Sequence, residues 1–222
     1  MIKNVLFDMD NTLYRVDETK WNKGYFIELA RVFGELGYDG RTVAGFVFSH
    51  GLDAMIKNNG VVTNATAFWK IMDEKLGIKR EAVEPRLIKM YSTEWQPAIC
   101  NIEPKPEMQE ILGLLRDKGV NIILATNPVL PLCATERRLN VAGIEPKTFS
   151  YISSYENSGF AKPNVEYYKE LMRKCNILPQ ETFMVGNDPK NDKVIEELGI
   201  RCFLLTDKNV GELKAEVENV GI

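Results

Sequence analysis

Five short strand-like runs, most of them apolar, constrain this chain more than any other feature. They are Val5-Leu6-Phe7, Asn121-Ile122-Ile123-Leu124-Ala125, Thr148 to Ile152, Phe183-Met184-Val185 and Cys202 to Leu205. Segments of helix length separate the later ones. Pro106 opens one with Met108, Ile111, Leu112 and Leu115 on a single face and Gly119 behind it; others span Pro131–Val141, Pro163–Lys174, Pro189–Leu198 and a stretch from about Asn209. Strands alternating with helices in this way predict parallel β-α units, hence a doubly wound α/β sheet.

Between the first two strands the pattern changes. Residues 15–103 hold no buried strand run. Trp21, Tyr25, Leu29, Val32 and Leu36 make one helical stripe that stops at Gly37; Val43 to Asn58, a segment capped by Asn64 and stopped by Gly77, and Glu81 to Trp95 with Pro85 in its first turn read as further helices. A parallel crossover needs only about 10–12 residues, whereas Thr12 and Thr126 lie more than a hundred apart. The helical block is therefore read as an inserted domain, 15–103, in a core of 1–14 and 104–222, with connections near Arg15 and Glu103.

Charge and composition narrow the partners. With 28 basic and 31 acidic residues in 222, the net charge of −3 offers no basic face for nucleic acid. No apolar run reaches the ~18–20 residues that span a bilayer, and the residues before Val5 carry no signal-peptide core, so a cytoplasmic protein without membrane contact is expected. Four widely spaced cysteines read as reduced thiols. A single histidine, His50, argues against multi-histidine zinc chemistry.

Polar groups gather where the strands end. Asp8 and Asp10 follow the first strand, Thr126-Asn127 the second, and Asn187-Asp188 a later one, with Asp192 a turn beyond and Lys162 in a loop before a helix. Each has a purely structural account: a turn after a strand, an N-cap, a turn opener, a solvated lysine. Together they would converge on one rim of a parallel sheet, where ligands of such sheets bind. Proline follows Asn127, Lys162 and Asp188, which predicts helix N-termini at those points.

These motifs resemble the haloacid dehalogenase superfamily in its phosphatase branch. Phe7-Asp8-Met9-Asp10-Asn11-Thr12 matches the D-x-D-x-T motif, Leu124-Ala125-Thr126-Asn127 the second, Ala161-Lys162-Pro163 the third, and Val185 to Asp192 the fourth. The helical block stands where that family places its C1 cap. The resemblance implies a Mg²⁺-dependent phosphatase for a small-molecule phosphate ester, with Asp8 as nucleophile and Asp10 as acid and base. It implies Mg²⁺ ligation by Asp8, the Asp10 carbonyl and Asp188, and phosphate contacts from Thr126, Lys162 and the amides of Met9, Asp10 and Asn127. Asp192 would orient Lys162 or a metal-bound water. Asn187 departs from the pattern, since many members carry a second acid there.

Other chemistries fit less well. Hydrolytic dehalogenases of the family lack the second aspartate, and Asp10 is present. A phosphomutase or phosphotransferase would share this core. A receiver-like phospho-binding switch places its phosphoryl acceptor on a later strand and has no large helical insert. The aromatics of the insert, Trp21, Phe46, Phe48, Phe68, Trp69 and Trp95, are expected in its core, and Tyr14 and Arg15 at the hinge or substrate edge.

Overall fold

The computed structural model describes residues 1–219, apart from the side chains of 97 and 98. Its strands are β1 (Asn4–Phe7), β2 (Tyr14–Val16), β3 (Ile102–Pro104), β4 (Asn121–Leu124), β5 (Tyr151–Ile152), β6 (Thr182–Gly186) and β7 (Arg201–Leu204). Five of them form one parallel sheet in the order β5-β4-β1-β6-β7, so the expected doubly wound α/β fold is present. Successive strand side chains face opposite sides. Val5, Phe7, Leu124 and Val185 therefore join one apolar cluster, while Leu6, Ile123 and Met184 join another with Tyr167, Leu171 and Ile195. Burial on both faces is why these strands read as unbroken apolar runs.

Register sets the rim. Phe7 stands opposite Leu124 on one side and Val185 on the other. The residues that follow, Asp8, Thr126 and Asn187, consequently emerge together at the carboxyl end of the sheet.

Between β2 and β3 lie α1 (Glu18–Glu35), α2 (Gly40–Phe46), α3 (Leu52–Ile56), α4 (Asn64–Leu76), α5 (Arg80–Lys89) and α6 (Gln96–Ile99). Asp17 caps α1 by accepting from the Lys20 N–H, and Gly37, at φ +86°, follows its end. Tyr25, Tyr91, Trp95 and Trp21 pack ring against ring inside this block. The sheet domain adds α7 (Pro106–Asp117), α8 (Leu132–Val141), α9 (Val165–Cys175) and α10 (Val210–Glu218). Among the described residues no helix is long and apolar enough to cross a membrane.

Several expectations are corrected. The segment from 15 to 103 is not purely helical: β2 pairs antiparallel with β3, Arg15 opposite Glu103. Three-residue strands carry no periodicity to read. The helices expected at 43–58 and 81–95 are each interrupted by a π-helical turn, Val47–Gly51 and Met90–Glu94. Since α5 starts at Arg80, Pro85 falls in its second turn. Thr63, not Asn64, caps α4. The three prolines do not open helices either: α8 starts at Leu132, α9 at Val165, and a 3₁₀ segment at Lys193. Polar loop side chains hold those turns instead, as the site geometry makes plain.

Candidate active site

The acidic turn is held from several directions. The amides of Thr12 and Leu13 both donate to the Met9 carbonyl, at 3.3 and 2.9 Å. Asn11 takes φ +57°, a left-handed conformation that Asn tolerates. Its Oδ1 accepts from the Val16 amide at 2.9 Å, and its carbonyl accepts from the buried Lys105 ammonium at 2.7 Å. Burial lowers the Lys105 pKa, with Asp207 acting in the opposite sense. Met9 is wholly buried, so only its backbone can serve the site.

Asp8 stands at the centre. Its Oδ1 accepts from Lys162 Nζ at 2.8 Å and its Oδ2 from Thr12 Oγ1 at 3.3 Å. Lys162 donates to Asp192 Oδ1 as well, at 2.6 Å, and both side chains are 1% exposed. Asp192 Oδ2 receives the amides of Asn187 and Asp188 at 3.0 and 2.9 Å. A Cβ on Gly186 would meet that carboxylate at 2.4 Å, so glycine is required for the approach. Asn127 Oδ1 accepts from the Lys162 amide at 3.1 Å, which joins two loops, and the Thr126 carbonyl accepts from Tyr167 Oη at 2.9 Å.

Two carboxylates, Asp8 and Asp192, thus share one ammonium. Burial pushes the Asp8 carboxyl up to about 7 against the pull of Lys162, and Asp192 adds to the rise. Burial pulls Lys162 down, but Asp8, Tyr168 and Asp192 outweigh it and the net shift is upward; we take the lysine as charged. The excess negative charge is one argument that the site fits a divalent cation. The donor chemistry is the other, since hard oxygens suit Mg²⁺. Among the described residues no three His, Cys, Asp or Glu side chains are grouped so as to hold a metal, and the carbonyl and amide oxygens at this rim are the other hard donors to hand.

Asp188 and Asn187 stand differently at this rim, although both line the same cavity. The Asp188 carboxylate faces its own turn, accepting from the amides of Lys190 and Asn191 at 2.7 and 3.1 Å and from Asn191 Nδ2 at 2.7 Å. Asn187 takes the inner position instead. In one orientation its amide nitrogen donates to Asp8 Oδ2 at 3.3 Å and the Asp10 carbonyl at 3.0 Å; turned over, its oxygen accepts from Thr12 Oγ1 at 3.1 Å. An oxygen donor beside Asp8 and the Asp10 carbonyl is what a cation there requires.

Asp10 has an unforeseen partner. Arg138 on α8, with a side chain 5% exposed, donates to Asp10 Oδ1, and Tyr14 Oη donates to the same oxygen at 2.8 Å. The guanidinium lies 5.0 Å from the Trp21 ring centroid. Burial pulls Arg138 down, yet Asp10 and Tyr14 raise it further, so it stays charged. One signal for it was available: Arg138 falls on the buried stripe of α8, beside Ala134, Thr135 and Leu139. Asn64 was also missed; it is fully buried, and its Nδ2 donates to the carbonyls of Pro128 and Phe160 at 3.0 and 3.1 Å.

A cavity of about 340 Å³ opens between the rim and the insert. Asp8, Thr126, Asn127 and Lys162 form its floor, and Trp21, Phe48, Leu52 and Met55 part of its wall. Trp21 and Phe48 thus border the site, whereas Trp95 is buried in the insert. Arg15 pairs with Asp207 at 3.0 Å and Glu107 at 3.6 Å and does not line the cavity. His50 is exposed and stacks on Phe46.

The parallel sheet gathers a lysine-paired aspartate and the other polar rim groups at one mouth, under a helical insert, as α/β proteins that bind ligands at their strand ends do. A family model described as haloacid dehalogenase-like hydrolase matches residues 2–199. The chain belongs to that family and is a hydrolase. It is similar to the glyceraldehyde 3-phosphate phosphatase of Methanocaldococcus jannaschii, 26% identical over 208 residues that cover 90% of this chain and 83% of that protein. Among solved structures, a HAD phosphatase from Thermococcus onnurineus aligns with TM-score 0.54 and 18% identity over 92% of this chain and 86% of the other. A HAD family enzyme from Bacteroides thetaiotaomicron, in complex with magnesium and inorganic phosphate, aligns with TM-score 0.54 and 18% identity over 93% and 95%.

Proposed function

We propose that the protein is a Mg²⁺-dependent phosphatase of small phosphomonoesters. The observation that carries this reading is Asp8, set between Lys162 and Thr12 at the end of the central strand with Asp10 two residues on. An Asp8 oxygen attacks phosphorus, the bond from phosphorus to the alcohol oxygen breaks, and Asp10 gives that oxygen its proton. Asp10 then takes a proton from water, whose oxygen bonds to phosphorus as the aspartyl-phosphate bond breaks. Lys162 neutralises charge on the transferring group, and Thr126 with the amides of Met9, Asp10 and Asn127 is suited to its oxygens. Asp8, the Asp10 carbonyl and the Asn187 amide oxygen would hold the cation. When bound, it supplies Lewis-acid polarisation and screens carboxylate from phosphate. Residues 15–103 act as a cap on the core of 1–14 and 104–222, excluding water from the first step.

The related names support this reading: one curated relative is a phosphatase, and one solved structure carries magnesium and phosphate. The test is phosphate release from an aryl phosphate with and without chelator, in the wild type, Asp8→Asn and Asp10→Asn. Chelation and either substitution should each lower turnover by about 10²-fold or more. Unchanged turnover in Asp8→Asn would exclude it as nucleophile.

A further inference from the structure

Resting on the phosphatase reading, a narrower statement concerns the alcohol that leaves. Two cationic side chains line the cavity, Lys162 and Arg138. Lys162 is engaged by Asp8 and Asp192, and Arg138 by Asp10. Glu18 and Asp188 add negative charge to the lining. Beyond the floor, the insert contributes the apolar Trp21, Phe48, Leu52 and Met55 with one neutral amide, Asn22, and the loop after β4 contributes Val129 and Leu130. A second anion on the substrate would lose its hydration against this wall with no uncommitted cation among the lining residues to receive it. It would also lie near carboxylates of the same sign.

We infer that the substrate is a phosphomonoester whose alcohol part is uncharged and presents an apolar face. Esters bearing a carboxylate or a second phosphate on that part are discriminated against. The volume of the cavity, about 340 Å³ for phosphate and alcohol together, lies near the lower end of ligand pockets, which favours small alcohols. Trp21, Phe48, Leu52 and Met55 are the residues that impose the choice.

The experiment compares kcat/KM within matched pairs: phenyl phosphate against 4-carboxyphenyl phosphate, and 2-hydroxyethyl phosphate against 2-phosphoglycolate. The uncharged member of each pair should be preferred by about tenfold or more, the scale on which pocket contacts discriminate. Leu52→Lys and, separately, Phe48→Lys would place an ammonium on the wall and should shift the ratio toward the carboxylated esters by a similar factor. Either variant alone suffices, so misfolding of one does not remove the test. Equal or greater kcat/KM for the carboxylated members in the wild type overturns the inference while leaving the phosphatase reading intact. If that preference then vanished in Arg138→Met, Arg138 would be the receptor of a substrate anion. No Mg²⁺-dependent phosphate release from any of the four esters overturns the phosphatase reading and this inference with it.

Discussion

Arg138 and Tyr14 both donate to Oδ1 of Asp10, and that geometry assigns the two oxygens different tasks. Oδ1 is anchored, and in the proposed mechanism Oδ2 carries the proton for the leaving alcohol. Loss of the anchor should therefore hurt most where protonation matters most. Arg138→Met is expected to lower kcat for an alkyl phosphate by about 10–100-fold, within the range of general acid catalysis, and much less for an aryl phosphate with a good leaving group. Arg138→Lys should recover part of the loss. An equal effect on both substrates, measured by steady-state kinetics, would reduce Arg138 to a packing role. The fourth motif permits a second prediction at this scale. Asn187 lies beside Asp8 and the Asp10 carbonyl, while Asp188 faces Lys190 and Asn191. Asn187→Asp should tighten Mg²⁺ binding by about tenfold, since a carboxylate replaces a neutral oxygen on a hard cation. Asp188→Asn should change affinity little and destabilise its turn by about 1 kcal/mol. Calorimetric titration decides, and loss of Mg²⁺ binding in Asp188→Asn would return the ligand role to Asp188.

At the scale of elements, α4 is tied to the loops that carry the proposed phosphate-binding residues. Its first residue, Asn64, bonds the carbonyls of Pro128 and Phe160, which lie one residue after Asn127 and two before Lys162. The contact is close: a Cβ on Gly159 would meet Gly60 Cα at 2.8 Å. Asn64→Ala would leave the buried Pro128 carbonyl and the part-buried Phe160 carbonyl without this partner, at about 1–3 kcal/mol for the buried one, and should lower kcat as well as stability. Thr63→Ala removes the cap of the same helix, at about 1 kcal/mol, and should leave kcat unchanged. If thermal melts and kinetics show both variants losing only stability, α4 does not position those loops. This coupling also marks where the sequence stopped being legible. The strands were readable because burial on both faces leaves Val5-Leu6-Phe7 and Ile122-Ile123-Leu124 unbroken, and Asp8, Thr126 and Asn187 because each stands one or two residues past a strand. The β2–β3 ribbon, the π-helical turns and the pairing of Arg138 with Asp10 depend on contacts between segments more than eighty residues apart or on local hydrogen-bond slips. Neither leaves a periodic trace. Asn64 read as a helix cap because Asn commonly caps, and tertiary contacts gave that task to Thr63.

Across the whole molecule, one apolar cluster runs from the sheet into the insert without a break. It contains Phe7, Leu124 and Val185 together with Leu29, Met72 and Trp95. At the junction Val129, Pro131 and Tyr155 meet Phe68, Trp69 and Tyr91 around a void of only about 30 Å³. Tyr155 Oη also donates to Glu84 on α5 at 2.9 Å. Interiors packed to this density transmit a loss of contact rather than absorb it, so the sheet and the insert should unfold as one unit even though the chain crosses between them only at β2 and β3. All three tryptophans, Trp21, Trp69 and Trp95, lie in the insert. Their fluorescence therefore reports the insert, while far-UV circular dichroism reports every helix and strand. In urea the two signals should trace one transition with the same midpoint, as two-state unfolding requires. Leu124→Ala, a fully buried change in the sheet, should destabilise by about 2–5 kcal/mol and shift both curves equally. A fluorescence transition left in place while the dichroism moved would show that the insert folds on its own and that the shared core does not couple it to the sheet.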